Sequence, residues 1–469
     1  MNAPDTHLLA RCAARRRSLA AQMAQAGGGL AIVPTAPEVM RNRDADYPYR
    51  HDSYFYYLTG FTEPQSLLAV AVEADGTMHS TLFCRPKDVE REIWDGFRYG
   101  PDAARDAFGV DAALSIAQLD AELPRLMADR AAIWWPFATH SGFETRVEGW
   151  LSAVRGQARA GRRAPSAQYD LCAALDEMRL FKDDYELSVL RRAAAISADG
   201  HRRAMQAAAR GTRQPPPEGL REYHLEAELL RAFRAGGAQS PAYGSIVAAG
   251  ANACVLHYRA DRAAVRADDL VLIDAACELD GYASDITRTF PAGGRFSGPQ
   301  RQLYDIVLEA QLAALAATRA GVRFNGPHDA ALRILAQGLL DVGLISRDVA
   351  PDVDAVIATG AYRRFYMHRT SHWMGMDVHD CGDYAEPGEA IDIQPDGSRK
   401  RPARILRESM VLTIEPGLYV RAADDVPAAF HGIGIRIEDD IAVRAGGQPC
   451  EVLTAAAPKT VADIEAVMR

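Results

Sequence analysis

Asp274 and Asp285 flank a stretch that reads strand, turn, strand: Leu270-Val-Leu-Ile-Asp274, then Glu278-Leu-Asp280-Gly281, then Asp285-Ile-Thr-Arg-Thr-Phe290. A two-residue loop at Leu279-Asp280 would set the two acids directly opposite, with Cβ atoms ~4.5–5.5 Å apart. A loop at Asp280-Gly281 would make them diagonal neighbours. Strand side chains alternate with period two, so both registers put the carboxylates on one face. Like charges opposed on a sheet destabilise it unless they are solvated, share a proton or hold a cation.

Three further segments carry matching chemistry. His372-Trp-Met-Gly375-Met-Asp377-Val-His379 sets two imidazoles around a glycine in a run too irregular for a plain helix. Met410-Val-Leu-Thr-Ile-Glu415 is an apolar strand whose terminal glutamate precedes Pro416, where pairing must stop. In Ile433-Gly-Ile-Arg436-Ile-Glu438 the isoleucines share one face and Arg436 and Glu438 the other, the pattern of an ordinary salt bridge on a half-exposed strand. Together, two Asp, two Glu and at least one His supply what two cations need, four negative charges against four positive. An oxygen-rich set with imidazole and no thiolate favours Mn²⁺ or Co²⁺ over a structural zinc, with manganese the first choice. Paired ions ~3.5–4 Å apart make water acidic enough to attack near neutral pH, and that chemistry is hydrolysis.

The elements that must position these groups follow from the rest of the chain. Its 469 residues, at ~150 per domain, predict two or three domains. With 48% hydrophobic and 25% charged residues, the composition excludes disorder as the main state. Lys+Arg 53 against Asp+Glu 62 leaves a net −9, which argues against nucleic acid as a partner. Cysteines at 12, 84, 172, 254, 277, 381 and 450 form no C-x-x-C pair and read as reduced thiols of a cytoplasmic protein. The basic run Arg11 to Arg17 reads as an exposed helix, with a transit peptide as the alternative. No run of ~18 apolar residues occurs, so no membrane span is expected.

Strand candidates at 30–33, 67–72, 81–84 and 132–135 alternate with helical stretches, an α/β pattern for the first third. Residues 155–166 crowd Arg, Gly, Ala and Pro together, as in an exposed linker. Asp183 and Glu186 form a capping-box start to a helix. After Pro215-Pro216-Pro217 come a helix near 222–235, strands near 245–249, 269–276 and 282–290, helices between 300 and 343, and strands at 410–415 and 433–441. This second part is α+β. The expected division is 1–175 and 176–469.

The Asp274/Asp285 spacing, Ser371-His372-Trp373 through His379-Asp380, Thr413-Ile-Glu415-Pro-Gly417 and Gly432-Ile-Gly-Ile-Arg-Ile-Glu438 resemble the M24 metallopeptidases on their aminopeptidase P branch. The likeness extends to Asp44-Ala-Asp-Tyr-Pro-Tyr-Arg50 and Tyr57-Leu-Thr-Gly-Phe-Thr-Glu-Pro64. It implies a creatinase-like N-terminal domain and a C-terminal pita-bread catalytic domain. It implies Asp274, Asp285, His372, Glu415 and Glu438 as metal ligands, with Asp285 and Glu438 bridging. It further implies His379 as an oxyanion donor, His257 and His368 beside a prolyl pocket, and Arg436 and Tyr419 in the substrate-side network. Glu415 would be the proton acceptor. Asp44 and Trp94 would help wall off the site beyond the N-terminal residue. The implied substrates are peptides with proline second, cut after the first residue, and the implied assembly is a homodimer or homotetramer. An Xaa-Pro bond is a tertiary amide with no N–H and a fixed φ, which calls for a dedicated enzyme.

Residues 382–404 depart from the family pattern, rich in acids, Pro and Arg-Lys-Arg, and read as a surface insertion near substrate access. Prolidase, cutting only dipeptides, is the nearest rival. A metal-free binding module of the same fold and a creatinase-type hydrolase both conflict with the presence of all five ligand positions. No phosphate-binding loop of the G-x-x-x-x-G-K-[ST] type occurs.

Overall fold

A computed structural model describes residues 4–259, 262–393 and 399–469, so residues 394–398 of the predicted insertion lie outside the described residues. The chain divides into two compact units, Met1–Met178 and Arg179–Arg469.

The first unit is built on one mixed sheet. Strands β1 (Gly29–Pro34) and β2 (Leu67–Val72) are buried throughout, as unbroken apolar runs must be when both faces of a sheet are covered. With β3 (Met78–Cys84), β4 (Ala112–Ser115), β5 (Ala132–Trp135) and β6 (Ala167–Asp170) they form the order β4-β3-β2-β1-β5-β6. One face packs on helix α2 (Phe143–Arg155), whose Phe143, Val147, Trp150 and Leu151 join Leu30, Ile32 and Leu67 in one core. Each such large side chain contributes about 1.5–3 kcal/mol on burial.

Two expectations are corrected here. The basic run lies in helix α1 (Thr6–Gln25) and is not an exposed face, for Arg15 and Arg16 are buried. Their guanidinium groups donate to Tyr57 O (3.2 Å) and Leu58 O (2.7 Å) at the end of the helix Ser53–Thr59. There they satisfy carbonyls that the helix itself leaves unpaired, with the charge favoured by the helix dipole. Residues 155–166 are an exposed connection within this unit, since β6 follows them and pairs with β5.

In the second unit the capping box forms as expected. Glu186 N donates to Asp183 Oδ1 and Asp183 N to Glu186 Oε2, opening the 30-residue helix α3 (Asp184–Arg213). Helix α4 (Glu222–Ala235) packs against it where Gly200 brings the backbones together; a Cβ there would lie 2.8 Å from the Phe233 ring. Strands β7 (Ile246–Ala249), β8 (Leu270–Asp274) and β9 (Thr287–Pro291) form an antiparallel sheet in that order. Helices α5 (Gly298–Ala317) and α6 (Gly326–Asp341) pack on each other.

The last third carries β10 (Val411–Ile414), β11 (Gly417–Val420), β12 (Ile433–Arg436) and β13 (Asp439–Ala442). The expected single strand over 433–441 is two strands: β12 pairs with β11 and β13 with β10. The break falls at Ile437-Glu438, opposite the Glu415-Pro416 interruption of the partner, so both glutamates leave their ladders at the same level. Gly417 is required at this crossing, because a Cβ would come within 2.7 Å of Ile435 O. The insertion at 382–404 is only partly a surface feature. Glu386 and Arg404 at its base are buried, and Glu386 Oε2 accepts from Ile405 N at 2.7 Å.

Candidate metal and catalytic site

The hairpin that carries the first two acids turns at Asp280-Gly281, where φ is 51° and 80°. Two successive positive φ angles are what a two-residue hairpin loop demands. Leu279 therefore faces Tyr282 and Asp274 faces Thr287, so Asp285 is the diagonal neighbour of Asp274, the second of the two expected registers. Tyr243 Oη lies 2.6 Å from Asp274 Oδ1 and 2.5 Å from Asp285 Oδ1, tying the two acids together.

A cavity of about 260 Å³ is lined by Asp274, Asp285, His372, Glu415 and Glu438 together with His257, His368, His379 and Arg436. Asp285, His372 and Glu438 each offer a donor atom, all within 4.8 Å of one another. His372 Nε2 is 3.5 Å from Asp285 Oδ2 and 3.6 Å from Glu415 Oε1. Its Nδ1 lies 3.0 Å from Trp373 O, so Nδ1–H donates to that carbonyl and Nε2 faces the acids. Glu438 Oε2 accepts from Thr287 Oγ1 at 2.5 Å, and Glu415 N donates to Thr370 O at 2.8 Å.

Electrostatics mark this as a cluster in need of positive charge. Four carboxylates face one buried guanidinium, Arg436, whose Nη2 donates to Asp274 Oδ2 at 2.5 Å. Burial, then mutual repulsion, raises Glu438 well above the usual carboxylate range. Glu415 is pushed up to about 7, chiefly by burial, against the pull of His372 and Arg436. Burial also raises Asp274, against Arg436 and with Asp285. His372 goes the other way for an imidazole in a cavity: burial would lower it, but Asp285 and Glu415 outweigh that and bring it to about 9. Such a donor set fits divalent cations, hard oxygens with one imidazole and no sulfur.

The groups around Arg436 form a directed chain. Arg436 Nη1 donates to Tyr419 Oη at 2.9 Å, so the Tyr419 hydroxyl gives its proton to His368 Nε2, 2.8 Å away. His368 Nδ1 in turn lies 2.7 Å from Arg369 O. His368 is thus neutral with both nitrogens engaged, in keeping with a pKa lowered to about 3 by burial and by Arg436. It lines the cavity. His379 is exposed, its ring 4.1 Å from that of His372, and burial with His372 lowers its pKa. Its loop is pinned by buried Asp380, which accepts from Arg179 Nη2 (2.6 Å) and Lys182 Nζ (2.9 Å). His257 is exposed at the cavity.

Arg436 does not pair with Glu438, contrary to the ordinary reading of that dipeptide spacing. The strand is buried rather than half-exposed, and the guanidinium reaches Asp274 instead. Asp44 and Trp94 are exposed in the first unit. Tyr243, Thr287 and Asp440, whose Oδ2 accepts from Asp285 N at 2.9 Å, went unpredicted. Thr287 was open to discovery, being two residues from Asp285; Tyr243, ahead of β7, carries no pattern that would expose it.

Residues 188–445 match the model of metallopeptidase family M24, and residues 12–134 match that of the aminopeptidase P N-terminal domain. The chain is 41% identical to the Xaa-Pro aminopeptidase of Escherichia coli (strain K12), over 97% of this chain and 96% of that one. It is 40% identical to the Xaa-Pro aminopeptidase of Haemophilus influenzae, over 92% and 91%. The solved aminopeptidase PepP of Pseudomonas aeruginosa superposes with a TM-score of 0.89 at 46% identity, covering 98% of both chains. A zinc-substituted E. coli aminopeptidase P in complex with product matches with a TM-score of 0.89 at 40% identity.

Proposed function

We infer the reaction from family membership, for the chain belongs to metallopeptidase family M24: it hydrolyses the bond between an N-terminal residue and a following proline. The observation that carries this is the convergence of Asp274, Asp285, His372, Glu415 and Glu438 on one cavity, in a chain 41% identical to an Xaa-Pro aminopeptidase. The enzyme works with divalent metal. We assign those five residues as the groups that would hold it, with two ions as the complement and Mn²⁺ as the ion. Bound there, the metal supplies Lewis acidity and an acidified water.

The chain's own groups account for the remaining work. Glu415, on the cavity wall, would be the proton acceptor that takes the proton of the attacking water and returns it to the proline nitrogen as the C–N bond breaks. His379, at the cavity mouth, donates to the oxyanion that develops on the scissile carbonyl. His257 and His368 would bound the proline ring, while Arg436 holds Asp274 and, through Tyr419, the His368 tautomer. A homodimer or homotetramer in the cytoplasm is the proposed working state. No helix of the described residues is long and apolar enough to cross a membrane.

The test is release of the first residue from an Xaa-Pro-Xaa tripeptide by metal-stripped protein, before and after Mn²⁺ is added. Mn²⁺-dependent cleavage is expected. Cleavage of an Xaa-Pro dipeptide alone would replace this reading with a dipeptidase, and silence on both would end it.

A further inference from the structure

His257 stands exposed on the wall of the reaction cavity, and its ring makes no hydrogen bond among the described residues. An imidazole without a partner takes its place from the backbone that carries it. That backbone is the stretch from Ala249, the last residue of β7, through a short 3₁₀ turn at Gly250–Cys254 to Tyr258. Its own bonds are few: Val255 N donates to Asn252 O at 3.0 Å and Tyr258 N to Val255 O at 3.3 Å.

The stretch is clasped from two sides. On one, Gly434 of β12 lies so close that a Cβ there would clash with Ala253 O, and Ala253 and Cys254 pack into one core with Leu272 and Tyr419. On the other stands Glu222, the first residue of α4, which is fully buried and forms no ion pair among the described residues. Three donors of the stretch reach it instead. Oε1 accepts from Ala249 N (2.9 Å) and Asn252 Nδ2 (3.0 Å), and Oε2 accepts from Tyr258 Oη (2.8 Å). Asn252 Nδ2 also donates to Tyr258 Oη at 3.1 Å, which closes the groups into one network. A buried carboxylate without a cation is costly to keep and adds no apolar burial. With every oxygen satisfied, what such a network supplies is a single, rigid conformation. Its donors bracket His257, two before it in the chain and the third immediately after.

We propose that Glu222 is a positioning residue of the peptidase, which holds both ends of the 249–258 stretch and so sets where His257 and its neighbour Leu256 stand at the cavity. Fully buried, it acts through the stretch and not on the peptide. The proposal rests on the peptidase reading above and deepens it: the grip on the proline ring is fixed from the start of a helix behind the cavity wall. None of the five residues assigned to the metal lies on this stretch, so the effect of Glu222 on substrate is separable from metal binding.

The experiment is a double-mutant cycle of Glu222→Ala and His257→Ala, read as kcat/KM for an Xaa-Pro-Xaa tripeptide on the Mn²⁺-loaded enzyme well below each melting transition, with Mn²⁺ affinity titrated alongside. Each single change should lower kcat/KM by about 10- to 100-fold, the cost of displacing a positioning group by about 1 Å. The double variant should fall within about twofold of His257→Ala alone, because Glu222 then has nothing left to place. Mn²⁺ affinity should be unchanged throughout. Glu222→Gln keeps an acceptor for Ala249 and Asn252 while the Tyr258 hydroxyl turns to accept, and it should restore most of the activity. If Glu222→Ala does not fold, Asn252→Ala/Tyr258→Phe, which strips the clasp from the side of the stretch, takes its place in the cycle with the same expectation. Losses that multiply in the double variant, or Mn²⁺ affinity that falls along with kcat/KM, would make Glu222 a merely structural residue and overturn the proposal. So would natural kcat/KM in a folded Glu222→Ala or in His257→Ala. If the natural enzyme cleaves no Xaa-Pro peptide, the peptidase reading itself fails, a result visible before any variant is made, and the proposal falls with it.

Discussion

Removing the carboxylate of Asp439 should unfold the second unit at a markedly lower temperature and loosen the metal site with it. Asp439 has no exposed surface, and four donors converge on it: Arg288 Nη2 (2.6 Å) and Thr454 Oγ1 (2.7 Å) on Oδ1, Gln311 Nε2 and Lys459 Nζ (each 2.7 Å) on Oδ2. Those donors hold its carboxyl far below the usual range despite burial. In Asp439→Ala the fully buried Arg288 guanidinium loses its only ion-pair partner among the described residues, and an uncompensated buried charge costs about 3–5 kcal/mol. At ~2–4 °C per kcal/mol, the melting temperature should fall by about 6–20 °C. The effect reaches the site because Arg288 Nη1 also donates to Glu438 O at 2.5 Å, fixing the peptide that carries Glu438. Metal affinity, followed by Mn²⁺ titration well below the melting transition, should therefore weaken as well. A shift under 2 °C with unchanged Mn²⁺ affinity would refute the view that this network both stabilises the sheet and sets Glu438.

Three other outcomes follow from the same geometry. Asp285→Ala should abolish Mn²⁺ binding and peptide cleavage together while the metal-free chain melts no lower than the natural one, since repulsion among the acids falls; retained activity would remove Asp285 from the site. Tyr419→Phe deletes the acceptor of Arg436 and the donor to His368, and kcat/KM should drop about 10- to 100-fold with the fold intact; steady-state kinetics beside a thermal melt would separate this from general destabilisation. His201, buried and hydrogen-bonded to Ala275 O at 2.8 Å, has its pKa lowered to about 3 by burial. From the unfolded value of ~6.5 down toward the folded one, the unfolded chain takes up a proton that the folded chain refuses, so stability declines with falling pH by up to about 1.4 kcal/mol per unit. Urea midpoints at several pH values should show a shallower decline in His201→Gln, and parallel curves for the two proteins would contradict the assignment.

What the sequence revealed about the site came from alternation and interruption. Period-two spacing brought Asp274 and Asp285 to one face whichever loop formed, and Pro416 announced that Glu415 ends a ladder. The register itself turned on Asp280 accepting a positive φ, a choice that side-chain pattern alone leaves open. The apolar runs at 67–72 and 132–135 identified β2 and β5 because strands covered on both faces need no alternation. The polar Ala-Gln-Tyr-Asp of β6 has no such signature and is a strand only through pairing with β5. Isoleucines at 433, 435 and 437 keep perfect strand period across a break imposed by the partner strand, so local pattern hid it. The buried Arg15 and Arg16 were invisible for a similar reason: their partners are carbonyls of a helix more than 40 residues away.

The run from Arg436 through Tyr419 and His368 to Arg369 O has a polarity that cannot be reversed. A guanidinium keeps its protons throughout the accessible pH range, so each group downstream must receive from one side and give to the other. His368 is thereby held in one tautomer, its Nδ1–H toward Arg369 O and its Nε2 lone pair toward the Tyr419 hydroxyl. The order of donors and acceptors on this side of the cavity is therefore fixed before anything binds, and no ring has to turn to prepare it.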